Sequence, residues 1–424
     1  MISRNHSPRR SLRNSFRQEP FIDLSVQRFF SGGEVGTLQD TFLPRFVLVL
    51  ISTLLGLLLA EGVVRLLAPQ PLTIPWADEV SGVLAPRANV RGREYVPHTY
   101  DVTVSFNSQR FRGQREYQPQ PGPGVTRIAT LGDSVTFGNG ANDDQTYPAQ
   151  LEGILQGRSI KKGLPVTYEV INAGIGGTGT AEQALWYENW VKQFHPHLVV
   201  LNVFCNDVDG DLMSGLFYVD PKGRVSPRPR DEIRAAGQRF RGFQKLVGNL
   251  PGYRFLAEHS QLASLLRTAI GGVIDHRRKA ALLKQSLPPS PIGHAERFHE
   301  QGLPRLAGEV SWLKEQVQAS GSRLTVVFVP CRETIYSSQA LWAHEVQQES
   351  PSIVACLREL TSKDGIPFTD LTPVIRERAG QLDEPLYYNG PLDTHPTPKG
   401  YRIIAEAVAA FLSGTRVIPI PPSN

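Results

Sequence analysis

Cysteine is scarce in this chain of 424 residues, which contains only Cys205, Cys331 and Cys356. Three thiols cannot form a disulfide framework, and their spacing is unlike that of zinc ligands. A single Cys331–Cys356 bridge stays open on the sequence alone, although we favour three buried apolar thiols. The sequence therefore excludes a small protein held together by disulfides or by zinc.

The chain also lacks an excess of charge of either sign. It has 45 basic and 40 acidic residues, for a formal net charge of +5. Residues 1–45 hold seven arginines and four acids, which is +3 of that total and leaves about +2 for the remainder. No cluster of Lys and Arg alternates with aromatic residues. Nucleic-acid binding is therefore not expected.

A long apolar run is the first positive feature of the sequence. From Leu43 to Leu67 the only acid is Glu61, near the far end, and Arg45 and Arg65 lie close to the two ends. A bilayer core takes about 20 residues, and the arginines can reach its two interfaces. The alternatives are a buried core helix or a cleaved signal, but a signal would lie unusually far from Met1. We predict a membrane anchor over residues 43–67.

The anchor divides the chain into segments of different composition. The basic tail that precedes it favours a cytoplasmic amino terminus, although Arg65 and Arg87 on the outer flank weaken the charge asymmetry. Tyr100–Phe106 alternates at period two and predicts a strand. The predicted segments are a mobile basic tail at 1–42, a Pro-rich stalk with N-terminal strands at 68–125, a main domain at 126–414 with an insertion at about 209–304, and a tail at 415–424.

Beyond Gly124, short apolar runs alternate with helical periodicity. The runs predict strands at Ile128–Leu131, Tyr168–Asn172, Leu198–Phe204, Leu324–Val329 and Pro367–Asp370. Helices are predicted at Tyr147–Leu155, Ala181–Phe194, Leu303–Ala319 and Lys399–Leu412. Strands that alternate with helices form parallel, doubly wound sheets. The predicted fold class is α/β with a parallel sheet, preceded by one transmembrane helix.

Polar residues follow several of these strands at the point where each strand ends. Ser134 follows Gly132 and Asp133 at a strand-to-helix corner, where ligands bind in this class of fold. The other polar segments are Asn172-Ala173-Gly174 in a glycine-rich loop, Asn206-Asp207 after the third strand, and Asp393-Thr394-His395 before the last helix. Together they place a hydroxyl, an imidazole, a carboxylate and amide donors within one fold.

These groups suffice for acyl transfer. His395 would take the proton of Ser134 during attack and return it to the leaving group, while Asp393 would orient the imidazole. The N–H groups of Ser134 and Gly174, with the side-chain amide of Asn206, would hold the developing oxyanion. Each residue alone also has a simpler explanation, such as a helix cap for Asp393 or a turn for Asn206. Their combination favours catalysis.

The four segments resemble those of the SGNH (GDSL-type) hydrolase superfamily, and they occur here in the same order. The resemblance covers about Thr126 to Leu412. It implies a flavodoxin-like three-layer α/β/α fold, serine esterase or acyltransferase chemistry, and no metal or other cofactor. It also implies the roles given above: Ser134 as nucleophile, His395 and Asp393 as its partners, and Ser134, Gly174 and Asn206 as the oxyanion hole.

Two local features depart from the superfamily pattern. Many relatives carry Asp-x-x-His, whereas this chain carries Asp393-x-His395, which looks like the membrane-associated and polysaccharide-acetylating branches. Cys205 occupies a position where glycine is common. The insertion interrupts the α/β rhythm in the way that cap segments over active sites often do.

The resemblance and the anchor together lead to a functional expectation. We expect an esterase that acts on O-acyl groups, chiefly O-acetyl groups, of an envelope or secreted glycan, with its catalytic domain outside the cytoplasm. A lipid-directed esterase, lysophospholipase or thioesterase, an O-acyltransferase, and a non-catalytic envelope scaffold are the alternatives. The expected partners are thus an acylated glycan or lipid and the membrane.

Overall fold

The computed structural model of the protein describes residues 38–235, 250–270, 293–336, 341–390 and 393–415. The predicted N-terminal tail up to residue 37, two parts of the predicted insertion and the tail after residue 415 lie outside these residues. The chain forms two compact units, Met1–Leu59 and Ala60–Asn424.

The first described element is the apolar helix α1 (Leu38–Leu67), which begins five residues before the predicted anchor. Within Leu43–Leu67, a window of 18 residues has a mean hydropathy of 2.4, and only 6% of that window is buried. The low burial argues against a core helix, while the length is sufficient to cross a bilayer. A membrane anchor and a signal sequence both satisfy these criteria.

The stretch 68–125, predicted as a Pro-rich stalk with N-terminal strands, contains five strands before the central sheet. Its strands are β1 (Leu72–Thr73), β2 (Ala77–Val80), β3 (Val83–Pro86), β4 (Val90–Val96) and β5 (Tyr100–Phe106). Strands β1, β4 and β5 form one antiparallel sheet, and β2 pairs with β3. The many prolines of this region occupy turns and strand ends, so they do not prevent pairing. The strand predicted at Tyr100–Phe106 has the predicted bounds.

A five-stranded parallel sheet forms the centre of the second unit. The remaining strands are β6 (Val125–Leu131), β7 (Thr167–Asn172), β8 (Leu198–Val203), β9 (Phe217–Val219), β10 (Val225–Pro227), β11 (Arg323–Phe328) and β12 (Phe368–Asp370). The order in the sheet is β12-β11-β8-β6-β7, with every pair parallel. The predicted parallel α/β fold is therefore confirmed.

Helices flank the strands, and some of them cover both faces of the five-stranded sheet. They are α2 (Ser134–Phe137), α3 (Tyr147–Lys161), α4 (Thr180–Asn189), α5 (Asp207–Ser214), α6 (Tyr253–His259), α7 (His294–Arg297), α8 (Leu303–Ala319), α9 (Arg332–Ile335), α10 (Leu341–Asp364), α11 (Thr372–Gln381) and α12 (Pro398–Gly414). Helix α4 is shorter than predicted, because a 3₁₀ turn at Val191–Phe194 follows it.

Alternate residues of each strand face opposite layers. In β8, Leu198 and Val200 join the core beneath α3 and α12, whereas Val199 and Leu201 join the core beneath α4 and α8. All four side chains are fully buried. A strand buried on both faces has a continuous apolar sequence, which explains why no alternation is visible in this run.

The three cysteines are free thiols. Cys205 and Cys331 contact each other through their sulfur atoms, and burial raises the pKa of Cys205. The Cys331–Cys356 bridge that the sequence left open is absent from the described residues. Cys205 and Cys331 are buried as predicted, whereas Cys356 is only partly buried.

Arg127, near the start of β6, is the most deeply buried cation of this sheet. Its guanidinium pairs with Glu169 on β7 at 2.8 Å and also donates to the carbonyl oxygens of Gln118, Pro119 and Phe194. Its side chain is 1% exposed. Through these hydrogen bonds, the guanidinium connects the start of β6 to the loops that precede β6 and β8.

Replacing Arg127 with Met should lower the free energy of unfolding by about 3–5 kcal/mol, since it removes the buried cation that pairs with Glu169 and leaves three carbonyls without their donor. Arg115→Met is the matched control: Arg115 also pairs with Glu169, but it is 44% exposed and should cost about 0–1 kcal/mol. Urea unfolding of the full chain in micelles, followed by tryptophan fluorescence, measures both. Equal losses in the two variants would contradict the prediction.

Candidate active site

Ser134 lies at the carboxyl end of β6, as the sequence predicted. The strand ends at Leu131, and Ser134 is the first residue of the short helix α2. A side chain at Gly132 would collide with Thr136, so the turn requires glycine. Asp133 caps α2 by accepting from the N–H of Val135 at 2.9 Å. Asp133 is thus a helix cap, and the cap aims the next residue out of the sheet edge.

A continuous chain of hydrogen bonds connects Ser134, His395 and Asp393. The Oγ atom of Ser134 is 2.8 Å from Nε2 of His395, and Nδ1 of His395 is 2.8 Å from Oδ1 of Asp393. With a carboxylate at Nδ1, the neutral ring carries its proton there and offers the Nε2 lone pair to the hydroxyl. The backbone N–H of His395 also donates to Oδ1 of Asp393, at 2.8 Å. The Asp-x-His spacing allows the carboxylate to hold both groups.

The second oxygen of Asp393 is held by residues that sequence reasoning missed. The hydroxyl of Tyr100, on strand β5, donates to Oδ2 of Asp393 at 2.9 Å. The side-chain amide of Asn139 donates to the same oxygen at 3.3 Å. Asp393 is 7% exposed, so these donors replace the water that its carboxylate would otherwise bind. Nothing in the local sequence around Tyr100 signals this contact across 293 residues.

Burial and pairing act in opposite directions on the two titratable partners. Burial by itself would raise the pKa of Asp393, but hydrogen bonds from His395 and Tyr100 outweigh it, so the pKa lies below the usual value. Burial would lower the pKa of His395, but the hydrogen bond and charge of Asp393 outweigh it, and the pKa lies above 6.5. The negative charges of Asp133 and Glu94 add to this effect. The site therefore stabilises an imidazolium.

The glycine-rich loop after β7 places its glycines differently from the prediction. The N–H of Gly174 donates to Oδ1 of Asn172 at 3.1 Å, and Gly174 packs against the backbone of Thr136 and Phe137. Gly174 therefore packs against α2, and its N–H is not free to bind a ligand. A Cβ on Gly176 would lie 3.8 Å from the Cβ of Ser134, and Gly177, at φ +76°, borders open space. Gly174, predicted as an oxyanion donor, therefore has its N–H bound to Asn172. The glycine of this loop that lies beside Ser134 is Gly176.

Asn206 occupies the predicted position at the end of β8, the strand next to β6. It is exposed and precedes α5, so its side chain is accessible at the same edge as Ser134. The neighbouring Asp207 is buried and turned inward, where its carboxylate accepts from Thr180 at 3.3 Å. Of this pair, only Asn206 is available to a ligand.

Trp76, in the region of the N-terminal strands, lies close to Ser134. Its ring lies 3.7 Å from the Cβ position of Gly176, on the same side as Ser134, and stacks on Phe137 with centroids 5.6 Å apart. Phe106 of β5 completes this aromatic group, 6.0 Å from Trp76. The region predicted as a stalk therefore supplies one wall of the site. An isolated Trp in a Pro-rich stretch gives no sequence signal for that role.

One group of side chains outside this site has metal-ligand chemistry. Asp209, His294 and Glu349 bring single ligand atoms within 4.8 Å of one another, with His294 Nε2 3.0 Å from Glu349 and 4.0 Å from Asp209. The group joins α5, α7 and α10 and includes none of Ser134, His395 and Asp393.

Residues 130–403 match the GDSL-like lipase/acylhydrolase family, which is more than half of the chain. The chain belongs to this family. The match contains all four sequence segments described above, so the predicted resemblance to SGNH hydrolases is confirmed, and this acylhydrolase is an enzyme of the esterase class.

Solved structures of esterases are similar to this acylhydrolase at low identity. A catalytic mutant of an acetylxylan esterase from Geobacillus stearothermophilus is 13% identical, with a TM-score of 0.38 over 70% of this chain and 97% of its own. An aryl esterase from M. smegmatis is also 13% identical, with a TM-score of 0.36 over 69% of this chain and 100% of its own. No curated protein matches the chain.

Replacing Asp393 with Asn should lower the pKa of His395, because the substitution removes the charge that keeps it above 6.5. NMR of the full chain with ¹³C-labelled histidine measures this titration, and His395→Gln identifies the resonance among ten histidines. Asp101→Asn, at an exposed carboxylate paired with Arg93, is the control and should leave the titration unchanged. An unaltered pKa in the Asp393 variant would argue against the charge as its cause.

Proposed function

We propose that this acylhydrolase is a serine esterase that removes short O-acyl groups, chiefly O-acetyl groups, from an envelope or secreted glycan. The observation that carries the proposal is the chain of hydrogen bonds from Ser134 through His395 to Asp393. A hydroxyl, a base and an orienting carboxylate in this order are the parts that acyl transfer through a serine requires.

Each of the three residues has a defined part in the proposed mechanism. Oγ of Ser134 attacks the ester carbonyl carbon as its proton passes to Nε2 of His395, and Asp393 stabilises the imidazolium that forms. Collapse of the tetrahedral intermediate breaks the bond to the alcohol, which leaves with the proton from His395. A water then attacks the acyl-Ser134, giving its proton to His395, and the carboxylic acid departs as Ser134 regains its hydrogen.

The developing oxyanion needs donors on the exposed side of Ser134. We assign this role to the N–H of Ser134, in the first turn of α2, to the side-chain amide of Asn206, and to the N–H of Gly176 or Gly177. Gly174 is left out because its N–H already donates to Asn172. No backbone partner is recorded for the two loop N–H groups within the described part of the chain.

The aromatic group of Trp76, Phe106 and Phe137 favours a substrate that combines a short acyl group with a sugar. Trp76 lies against Gly176 beside Ser134, which limits the width available to an acyl chain on that side. An indole ring also packs well against the C–H face of a pyranose. We further propose that α1 anchors the enzyme in a membrane, with the catalytic unit outside the cytoplasm. A lipid-directed esterase is the second candidate, and the same anchor favours it.

Replacing Ser134 with Ala should reduce ester hydrolysis by roughly 10⁴-fold or more, since it removes the nucleophile of the proposed mechanism. The measurement is the rate on nitrophenyl esters from acetyl to dodecanoyl, using the full chain in micelles. Ser108→Ala, at an exposed serine that pairs with Glu116, is the control and should retain activity. Retained hydrolysis in the Ser134 variant would exclude the serine mechanism.

The same ester series separates the two substrate classes. A glycan acetylesterase should lose activity steeply as the acyl chain lengthens, and acetylated polysaccharides are then the next substrates to test. A preference for dodecanoyl would favour the lipid-directed alternative. Labelling of Ser134 by a fluorophosphonate, with no hydrolysis of any ester, would favour an acyltransferase that lacks its acceptor.

Replacing Tyr100 with Phe should lower kcat by roughly ten-fold with little change in KM. A hydrogen bond to a charged group contributes about 1.5–3 kcal/mol, and Asn139 remains as the second donor to Asp393. Because Tyr100 acts through Asp393, the acid limb of the pH–rate profile should shift as well. Tyr95→Phe, on the neighbouring strand β4, is the control. A change confined to KM would contradict a positioning role for Tyr100.

A further inference from the structure

The last two turns of α1 are bonded to a segment nearly 200 residues further along the chain. The carboxylate of Glu61 accepts from Ser260 Oγ at 2.8 Å and from the N–H groups of Gln261 and Leu262 at 2.8 and 2.9 Å. The guanidinium of Arg65 donates to the carbonyl oxygen of His259 at 2.6 Å and pairs with Glu61 at 2.7 Å.

These contacts bind the start of one helical stretch and the end of another. Residues 261–270 are helical, and Glu61 satisfies the N–H groups of their first turn, where a carboxylate also meets the positive end of the helix dipole. Arg65 binds the carbonyl at the end of α6, where the negative end of that dipole lies. Two further bonds, from Gln70 to Gln261 and from Ser264 to Pro71, connect the same segments. The stretch 250–270 is therefore fixed at the point where the apolar helix ends.

Large apolar side chains of this stretch are exposed. Phe255 is 65% exposed and Ile270 is 56% exposed, and the others are Leu250, Leu256 and Leu266. The end of α1 contributes Leu66 and Leu67, both about four-fifths exposed. So many large exposed apolar side chains in one short stretch are unusual for a soluble surface.

Basic side chains accompany these apolar residues. Arg65 and Arg254 have half-exposed side chains that are not sequestered by their carboxylate partners, Glu61 and Glu258. Arg267 donates only to Ser264 within the described residues. Helices that lie in a membrane interface combine this composition: apolar groups enter the acyl boundary and basic groups meet anionic headgroups.

We infer that residues 250–270 lie in the surface of the bilayer that α1 crosses, with Phe255, Leu256, Leu266 and Ile270 in contact with lipid. The inference rests on the proposed membrane anchorage, because it places the end of α1 at the interface between membrane and water. It does not depend on the substrate. The bilayer is the occupant because the same hydrogen bonds that place these helices also join them to the end of the candidate span.

Lipid contact can be measured with a fluorophore at single positions. The full chain carrying Phe255→Cys or Ile270→Cys is labelled with the nitrobenzoxadiazole fluorophore and reconstituted into phosphatidylcholine/phosphatidylglycerol vesicles with or without doxyl-labelled lipid. Ile160→Cys is the control, because Ile160 is an equally exposed apolar residue, at 69%, near the end of α3. Labelled wild type corrects for the native thiols.

We expect blue-shifted emission and several-fold stronger quenching by doxyl lipid at positions 255 and 270 than at position 160. Equal quenching at all three positions would overturn the inference. A blue shift without lipid quenching would also overturn it, and would indicate contact with another protein or a second copy of the chain.

The anchorage and the catalytic proposal are tested on the same vesicles. Release of the chain by alkaline extraction would refute the anchorage and this inference together. Retention in the membrane without lipid quenching would refute only the docking of residues 250–270. Hydrolysis that depends on Ser134 reports separately on the proposed function.

Discussion

The catalytic geometry depends on the carboxylate of Asp393. Its Oδ1 accepts both the ring Nδ1 and the backbone N–H of His395, which fixes the imidazole in one orientation. Its Oδ2 accepts from Tyr100 and Asn139, which come from a different sheet and from the loop after α2. A buried carboxylate without such donors would be protonated or would move toward water, and His395 would lose the partner that raises its pKa. Three distant parts of the chain must therefore fold together before His395 is held at Ser134.

This requirement gives the N-terminal strands a different role from the one that their composition suggests. Prolines and the position after an apolar helix indicate a spacer, yet β5 supplies Tyr100 to Asp393, and Trp76 lies beside Ser134. Arg112 strengthens the same junction: it pairs with Asp143 at 2.8 Å and donates to the carbonyl of Ala141 at 2.7 Å. Removing residues 68–117 to obtain a minimal hydrolase would thus remove part of the site.

Sequence reasoning succeeded where a signal is local and failed where it is not. The strands β6, β7 and β8 are apolar runs that end in polar residues, so their existence and the position of Ser134 could be predicted to within a few residues. The spacing of Asp393 and His395 is equally local. The direction of the backbone decides which glycine of a Gly-rich loop faces Ser134. The sequence analysis predicted Gly174, but the N–H of Gly174 donates to Oδ1 of Asn172. Tyr100 and Trp76 depend on tertiary contacts that no periodicity encodes.

Glu61 shows how a residue that is costly in one environment can become a structural link in another. A carboxylate near the end of an apolar helix is unfavourable in lipid, but here Ser260, Gln261 and Leu262 donate to it and Arg65 pairs with it. Arg65 lies on α1 itself, but the three other donors reach Glu61 only when residues 260–262 are docked on the last turns of α1. If α1 crosses the membrane, the catalytic unit is held at its end through bonded, folded segments.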